Sequence, residues 1–92
     1  SQTIRKVLTS ILEQDPNIEV VGALDKPSLV EPFLQKVKPD VMTLDIHMPE
    51  MDGVTLLKRL APRYSIPTIM ISSITKEDGP YVFEALENGA LD

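Results

Sequence analysis

Three runs of this 92-residue chain decide its fold: Val41-Met42-Thr43-Leu44-Asp45, then Gly53 to Arg63, then Pro67-Thr68-Ile69-Met70-Ile71. The first is a short apolar run bounded by an acid at each end, and the third is of the near-continuous apolar kind that forms strands buried on both faces. Between them, Val54, Leu57 and Leu60 recur at helical spacing and face inward, with Leu56 partly so. A strand, a helix and a second strand joined by short connections make a right-handed βαβ unit, and its strands must be parallel.

The same alternation extends to both sides. Residues 2–14 carry Ile4, Val7, Leu8, Ile11 and Leu12 as one apolar helical stripe, and Asp15-Pro16-Asn17 stops it. Ile18 to Gly22 is a β-branched run and predicts a strand. Ser28 to Lys38 predicts a helix with Leu29, Phe33, Leu34 and Val37 on one face, and Ser28 and Glu31 stand at capping-box spacing. Residues 79–88 predict a last helix, with Pro80 suited to its first turn and Gly89 to the position just past its end. The order is α-β-α-β-α-β-α, an α/β protein with a parallel sheet. A helical bundle would leave three β-branched runs without an explanation.

Composition narrows the chemistry. With 42% hydrophobic residues the chain can build a core, so a disordered polar polymer is excluded. The absence of cysteine excludes disulfide scaffolds and thiolate metal sites, and one histidine cannot make a multi-histidine site. A net charge of −5 and only four aromatic residues argue against a nucleic-acid surface. No apolar run approaches the roughly 18 to 20 residues of a membrane span, and no signal-peptide pattern opens the chain. The expectation is a single cytoplasmic domain that engages neither membrane nor nucleic acid.

In open parallel sheets, sites lie beyond the carboxyl ends of the strands. Asp45 ends one strand here, and Ser72 and Ser73 follow another. A carboxylate at such a place can bind a metal or attack phosphorus, and a nearby hydroxyl can hydrogen-bond a phosphoryl oxygen. A strand-end Asp also serves as a turn or cap residue, and a Ser pair as a helix entry. The intervening Asp45-Ile46-His47-Met48-Pro49-Glu50-Met51-Asp52-Gly53 is punctuated by Pro and Gly, as befits a rigid loop at a site. His47 reads as an exposed loop side chain, Met48 and Met51 as packing residues, and Pro49 and Gly53 as backbone-shaping ones. No phosphate-binding Gly-rich loop, dinucleotide turn or nucleophile elbow occurs. A phosphatase of the haloacid dehalogenase type is disfavoured, because His47 stands where its second carboxylate belongs.

Asp45-x-x-Met48-Pro49-x-Met51-Asp52-Gly53 strongly resembles the phosphoacceptor loop of response-regulator receiver domains in two-component signalling. The resemblance runs in register through the whole chain. Met70-Ile71-Ser72-Ser73-Ile74-Thr75 and Ala85-Leu86-Glu87-x-Gly89-Ala90-Leu91-Asp92 look most like the receiver half of chemotaxis protein-glutamate methylesterases. It implies a flavodoxin-like, doubly wound parallel sheet of strand order 2-1-3-4-5. By the same resemblance, Asp45 is the phosphorylated residue, the backbone carbonyl of His47 is a Mg²⁺ ligand together with Asp45, and Ser72 is the switch hydroxyl. The implied partners are a histidine kinase of the chemotaxis type and a C-terminal output domain carrying the hydrolase chemistry. A pseudo-receiver, acting as an interaction module without phosphorylation, is the alternative.

The pattern also departs from the family. An acidic pair at the end of a first strand would fall just before Ser1, and a lysine-bearing fifth strand just after Asp92. Residues 1–92 are therefore expected to be a receiver domain truncated at both ends, without strands 1 and 5. The vacant place of strand 1, between the Ile18 and Val41 runs, would be a slot about 9 to 10 Å wide. Such a chain on its own is expected to self-associate and to carry no bound Mg²⁺.

Overall fold

The computed structural model describes residues 2–71 and 79–92. Helix α1 spans Gln2–Leu12, and a 3₁₀ turn at Pro27–Leu29 leads into α2, Val30–Lys36. Strand β1 is Met42–Asp45, α3 is Gly53–Leu60, β2 is Thr68–Ile71 and α4 is Gly79–Glu87. Strands β1 and β2 pair in parallel, Met42 with Thr68 through to Asp45 with Ile71. The βαβ unit expected from residues 41–71 is present, with α3 as its crossover.

Helix α3 starts where Asp52 caps it, its side chain accepting from the Thr55 amide. It ends with Lys58 and Arg59 beside the negative end of the helix dipole. Val54, Leu56, Leu57 and Leu60 are all buried, so Leu56 contributes fully to the core rather than in part. With Leu44 of β1, Val30 and Leu34 of α2, and Ala85 and Ala90, they form one cluster. Full burial of each large aliphatic side chain is worth about 1.5–3 kcal/mol. Met48, Met51, Phe33 and Met70 pack around this cluster as partly buried neighbours.

Four expectations change. Ile18–Gly22 is not a strand. A strand is defined by its ladder, and among the described residues no strand lies beside this run. Ile18 and Val21 are exposed, and the ring of Phe33 packs on Gly22. The capping box at Ser28 and Glu31 is not formed. Neither Lys26 before the 3₁₀ turn nor Leu29 before α2 makes a side-chain cap bond, and the Glu31 carboxylate pairs with Arg63 instead. Leu29, expected inside, is exposed because it sits in the 3₁₀ turn and off the helical stripe. The stripe of α1 is largely uncovered, with Val7 at 52% and Ile11 at 56% exposure, since two paired strands offer too little apolar surface to bury it.

The chain's last residues join the sheet sooner than the sequence suggested. Ala90 forms a parallel bridge with Thr68, the Leu91 amide donates to the Thr68 carbonyl at 2.8 Å, and the Met70 amide donates to the Asp92 carbonyl at 2.7 Å. A third strand position beside β2 thus opens at residue 90, not after 92. Thr68, the one buried polar side chain among the described residues, donates its hydroxyl to the Ile66 carbonyl at 3.0 Å. Helix α4 is tied to α3 by the exposed Lys58–Glu84 ion pair at 2.5 Å. No helix among the described residues is long and apolar enough to cross a membrane.

Candidate functional site

The half-buried Asp45 is the last residue of β1, at the carboxyl edge of the parallel pair. Its Oδ1 accepts from the His47 amide at 3.1 Å, an Asx-type turn that orients the carboxylate at the strand mouth. The intervening Ile46 points the other way and is 1% exposed. It continues the period-two burial of Leu44 past the end of the strand and anchors the first residue of the loop in the core.

The far end of the loop closes on the near end. The Gly53 amide donates to the Ile46 carbonyl at 2.7 Å. A Cβ on Gly53 would lie 2.0 Å from the Asp45 carbonyl oxygen and 2.9 Å from its carbon. Only a residue without a side chain fits against the backbone of Asp45. Next to it, Asp52 accepts from the Thr55 amide at 2.8 Å and from the Thr55 hydroxyl at 3.0 Å. Partial burial pushes the Asp52 carboxyl up, but the bonds from the amide and hydroxyl of Thr55 and the amide of Val54 outweigh it, so its pKa is lowered.

At the apex the Met51 amide donates to the Pro49 carbonyl at 2.8 Å, and Glu50 between them has φ +72°. That combination is a γ-turn of the rare, strained kind. Glu50 is the one non-glycine residue with positive φ among those described. Its carboxylate accepts from the Ser28 amide at 3.3 Å, joining the loop to the 3₁₀ turn.

Of the residues expected at the site, Asp45 and His47 are brought together by the turn just described, with the His47 side chain exposed. Ser72 and Ser73 lie outside the described residues; β2 ends at Ile71, which pairs with Asp45. The anchoring of Ile46, the cap at Asp52 and the strained turn at Glu50 were not singled out from sequence. The first two carried signals: apolar alternation continuing past Leu44, and an Asp directly before a helix. The third carried none.

Receiver domains as a family bind Mg²⁺ for phosphorylation and interact with histidine kinases. Mg²⁺ takes hard oxygen ligands, commonly one or two carboxylates with phosphate and several waters. The Asp45 carboxylate and a backbone carbonyl at His47 are donors of that chemical kind. Among the described residues no group of three or more His, Asp or Glu side chains forms a ready cage.

A parallel sheet with a carboxylate at a strand mouth, on a loop pinned against its own backbone, is the α/β arrangement expected of a receiver domain. The chain belongs to the response regulator receiver domain family, whose model matches residues 1–92. It is similar to the protein-glutamate methylesterase/protein-glutamine glutaminase of group 3 operon of Rhodopseudomonas palustris, 46% identical over 92 residues, all of this chain and 25% of that protein. The protein-glutamate methylesterase/protein-glutamine glutaminase of Syntrophotalea carbinolica is 42% identical over 92 residues, 26% of its length. The chain thus spans about a quarter of these curated relatives. Among solved structures it resembles the response regulator domain of Thermotoga maritima CheB, with TM-score 0.90 and 37% identity, covering all of this chain and 69% of that one. The α/β receiver fold and its place in two-component signalling, inferred from the residue pattern, agree with these findings.

Proposed function

We propose that Asp45 accepts a phosphoryl group from the phosphohistidine of a chemotaxis-type histidine kinase, and that residues 1–92 act as the receiver unit of a cytoplasmic protein-glutamate methylesterase. The observation that carries this reading is the placement of the Asp45 carboxylate at the carboxyl end of β1, on a loop that Gly53 fastens to the backbone of Asp45 itself. A carboxylate oxygen of Asp45 attacks phosphorus, the P–N bond breaks with its electron pair returning to the kinase imidazole, which takes up a proton from solvent and leaves as the neutral ring, and an acyl phosphate forms. The His47 amide, bonded to Oδ1, holds the carboxylate in one orientation for that attack.

Mg²⁺, when bound, neutralises charge on the phosphoryl oxygens, and we assign the Asp45 carboxylate and the His47 carbonyl as this chain's ligands to it. The acyl phosphate adds charge at the strand mouth, and Ser72 is assigned as the hydroxyl that turns toward it and passes the change to the face of α4. The output, ester hydrolysis on a protein glutamate, belongs to a C-terminal domain.

The test uses the full-length protein, a small phosphodonor such as acetyl phosphate, and Mg²⁺. One phosphate should be added by intact mass, esterase activity should change with it, and Asp45→Asn should take up none. Labelling that persists in Asp45→Asn would refute the assignment. A wild type that takes up no phosphate would favour a receiver acting through protein contact alone.

A further inference from the structure

The nine-residue loop from Asp45 to Gly53 is fixed at its two ends by packing and backbone bonds, but its apex is held differently. Glu50 sits there at φ +72°, at the centre of the γ-turn closed by Met51 and Pro49. Such a backbone is unfavourable for a residue with a side chain, which keeps it only when the surroundings hold it. One side-chain bond reaches it from outside the loop, from the Ser28 amide to Glu50 Oε1 at 3.3 Å, spanning 22 positions in sequence. A cavity of about 170 Å³ lies between the two segments, bordered by Pro27, Ser28, Glu50 and Met51. The bond therefore bridges a gap rather than sealing a packed seam.

The turn at its other end is itself well held. Pro27 is buried, the Leu29 amide donates to the Lys26 carbonyl at 3.1 Å, and Glu31 just beyond pairs with Arg63 past the end of α3. The strap thus runs from a fixed post to a strained apex. Its acceptor is an exposed carboxylate oxygen, which the amide oxygen of a glutamine of the same length can replace.

We propose that Glu50 is a positioning residue for phosphoryl acceptance: its carboxylate, bound to the Ser28 amide, imposes the shape of the loop that carries Asp45. This rests on the phosphoacceptor reading above. Glu50 touches neither phosphoryl group nor metal in this scheme; it acts through the backbone between residues 45 and 53. The loop and the turn ahead of α2 move as one body while the strap is intact.

Three variants of the full-length protein separate side chain from backbone. Glu50→Gln keeps an acceptor oxygen, Glu50→Ala removes the strap but keeps the strained backbone, and Glu50→Gly removes the strap and relieves the strain. The readouts are the initial rate of labelling by acetyl phosphate and hydrogen exchange at the Ser28 amide. Loss of one exposed hydrogen bond predicts labelling about threefold to tenfold slower in Glu50→Ala and Glu50→Gly, with Glu50→Gln within about twofold of wild type. Ser28 exchange should speed up in the same two variants and stay slow in Glu50→Gln. Glu50→Gly folds without the backbone penalty, so slow labelling there reports the lost strap and not a damaged fold. Labelling at the wild-type rate in Glu50→Gly, or unchanged Ser28 exchange in all three, would overturn the proposal. A wild type that fails to label at all fails the phosphoacceptor reading first, and the exchange measurement still decides whether the strap exists.

Discussion

Replacing Gly53 with alanine tests the closure of the loop directly. The new Cβ would stand 2.0 Å from the Asp45 carbonyl oxygen, and real contacts of that kind rarely fall below 3.0 Å. The backbone of Asp45 and that of Gly53 must therefore part by about 1 Å. The neighbours cannot yield by a side-chain rotation, because the nearest atoms are backbone: the carbonyl of Asp45 and Cα of Ile46 at 3.2 Å. Separation strains the 2.7 Å bond from the Gly53 amide to the Ile46 carbonyl and drags on Ile46, which is fully packed. Overpacking costs about 1 to 3 kcal/mol and a backbone bond about 1 kcal/mol, offset in part by alanine's better helix propensity. The expected loss is about 1 to 3 kcal/mol in urea unfolding, whose linear extrapolation gives the difference directly. A displacement of about 1 Å at a reacting group can cost up to about a hundredfold in rate, so phosphodonor labelling should fall well below that of wild type. A Gly53→Ala protein that unfolds at the wild-type urea midpoint and labels at the wild-type rate would refute the closure of this loop on Asp45.

Two further outcomes follow from contacts around α3. Asp52→Ala should destabilise the domain by about 1 kcal/mol at neutral pH, as for other N-caps. Because hydrogen bonds to the ionised carboxylate hold its pKa below the ordinary value in the folded state, its contribution is present above the unfolded pKa and is lost as pH falls through the folded one. The gap between wild type and Asp52→Ala in urea unfolding should accordingly narrow as the solution is acidified; a gap that widens would contradict the bonding seen at Thr55. The Lys58–Glu84 pair has nearly half of each side chain exposed, so a double-mutant cycle should give a coupling below about 1 kcal/mol that shrinks further in 1 M salt. A larger coupling that resists salt would show a desolvated contact instead.

The sequence made the βαβ unit legible because each of its parts is locally consistent. Leu44 and Thr68 sit in short β-prone runs, and the stripe of α3 repeats at the helical period between them. Ile18–Gly22 has the same local character yet forms no strand, since strand structure belongs to a pair and not to a run. The spacing of Ser28 and Glu31 matches a capping box, but spacing does not reveal that Arg63, more than thirty residues on, competes for the same carboxylate. Asp45 was legible as a candidate because parallel strands place their chemistry at carboxyl ends. The backward turn at Glu50 was not, because a non-glycine residue in that conformation is imposed by distant contacts and leaves no mark of its own in the chain.

The short ladder at residues 90–92 has a mechanical consequence. It fastens the stretch just after α4 to β2, while Gly89, at φ +106° with no atom within 4 Å of where a side chain would begin, joins that fastening to the helix. Helix α4 is then moored at three places: the ladder beyond Gly89, Ala85 in the core, and the exposed Lys58–Glu84 pair. Sliding along its axis would break the ladder, and tilting would draw Ala85 out of the core and strain the bond from the Ala90 amide back to the Ala85 carbonyl, 3.0 Å across Gly89. The exposed Phe83 and Leu86 are therefore carried on a helix clamped by both the ladder and the core, so a load on them is borne by the whole unit rather than absorbed at the glycine.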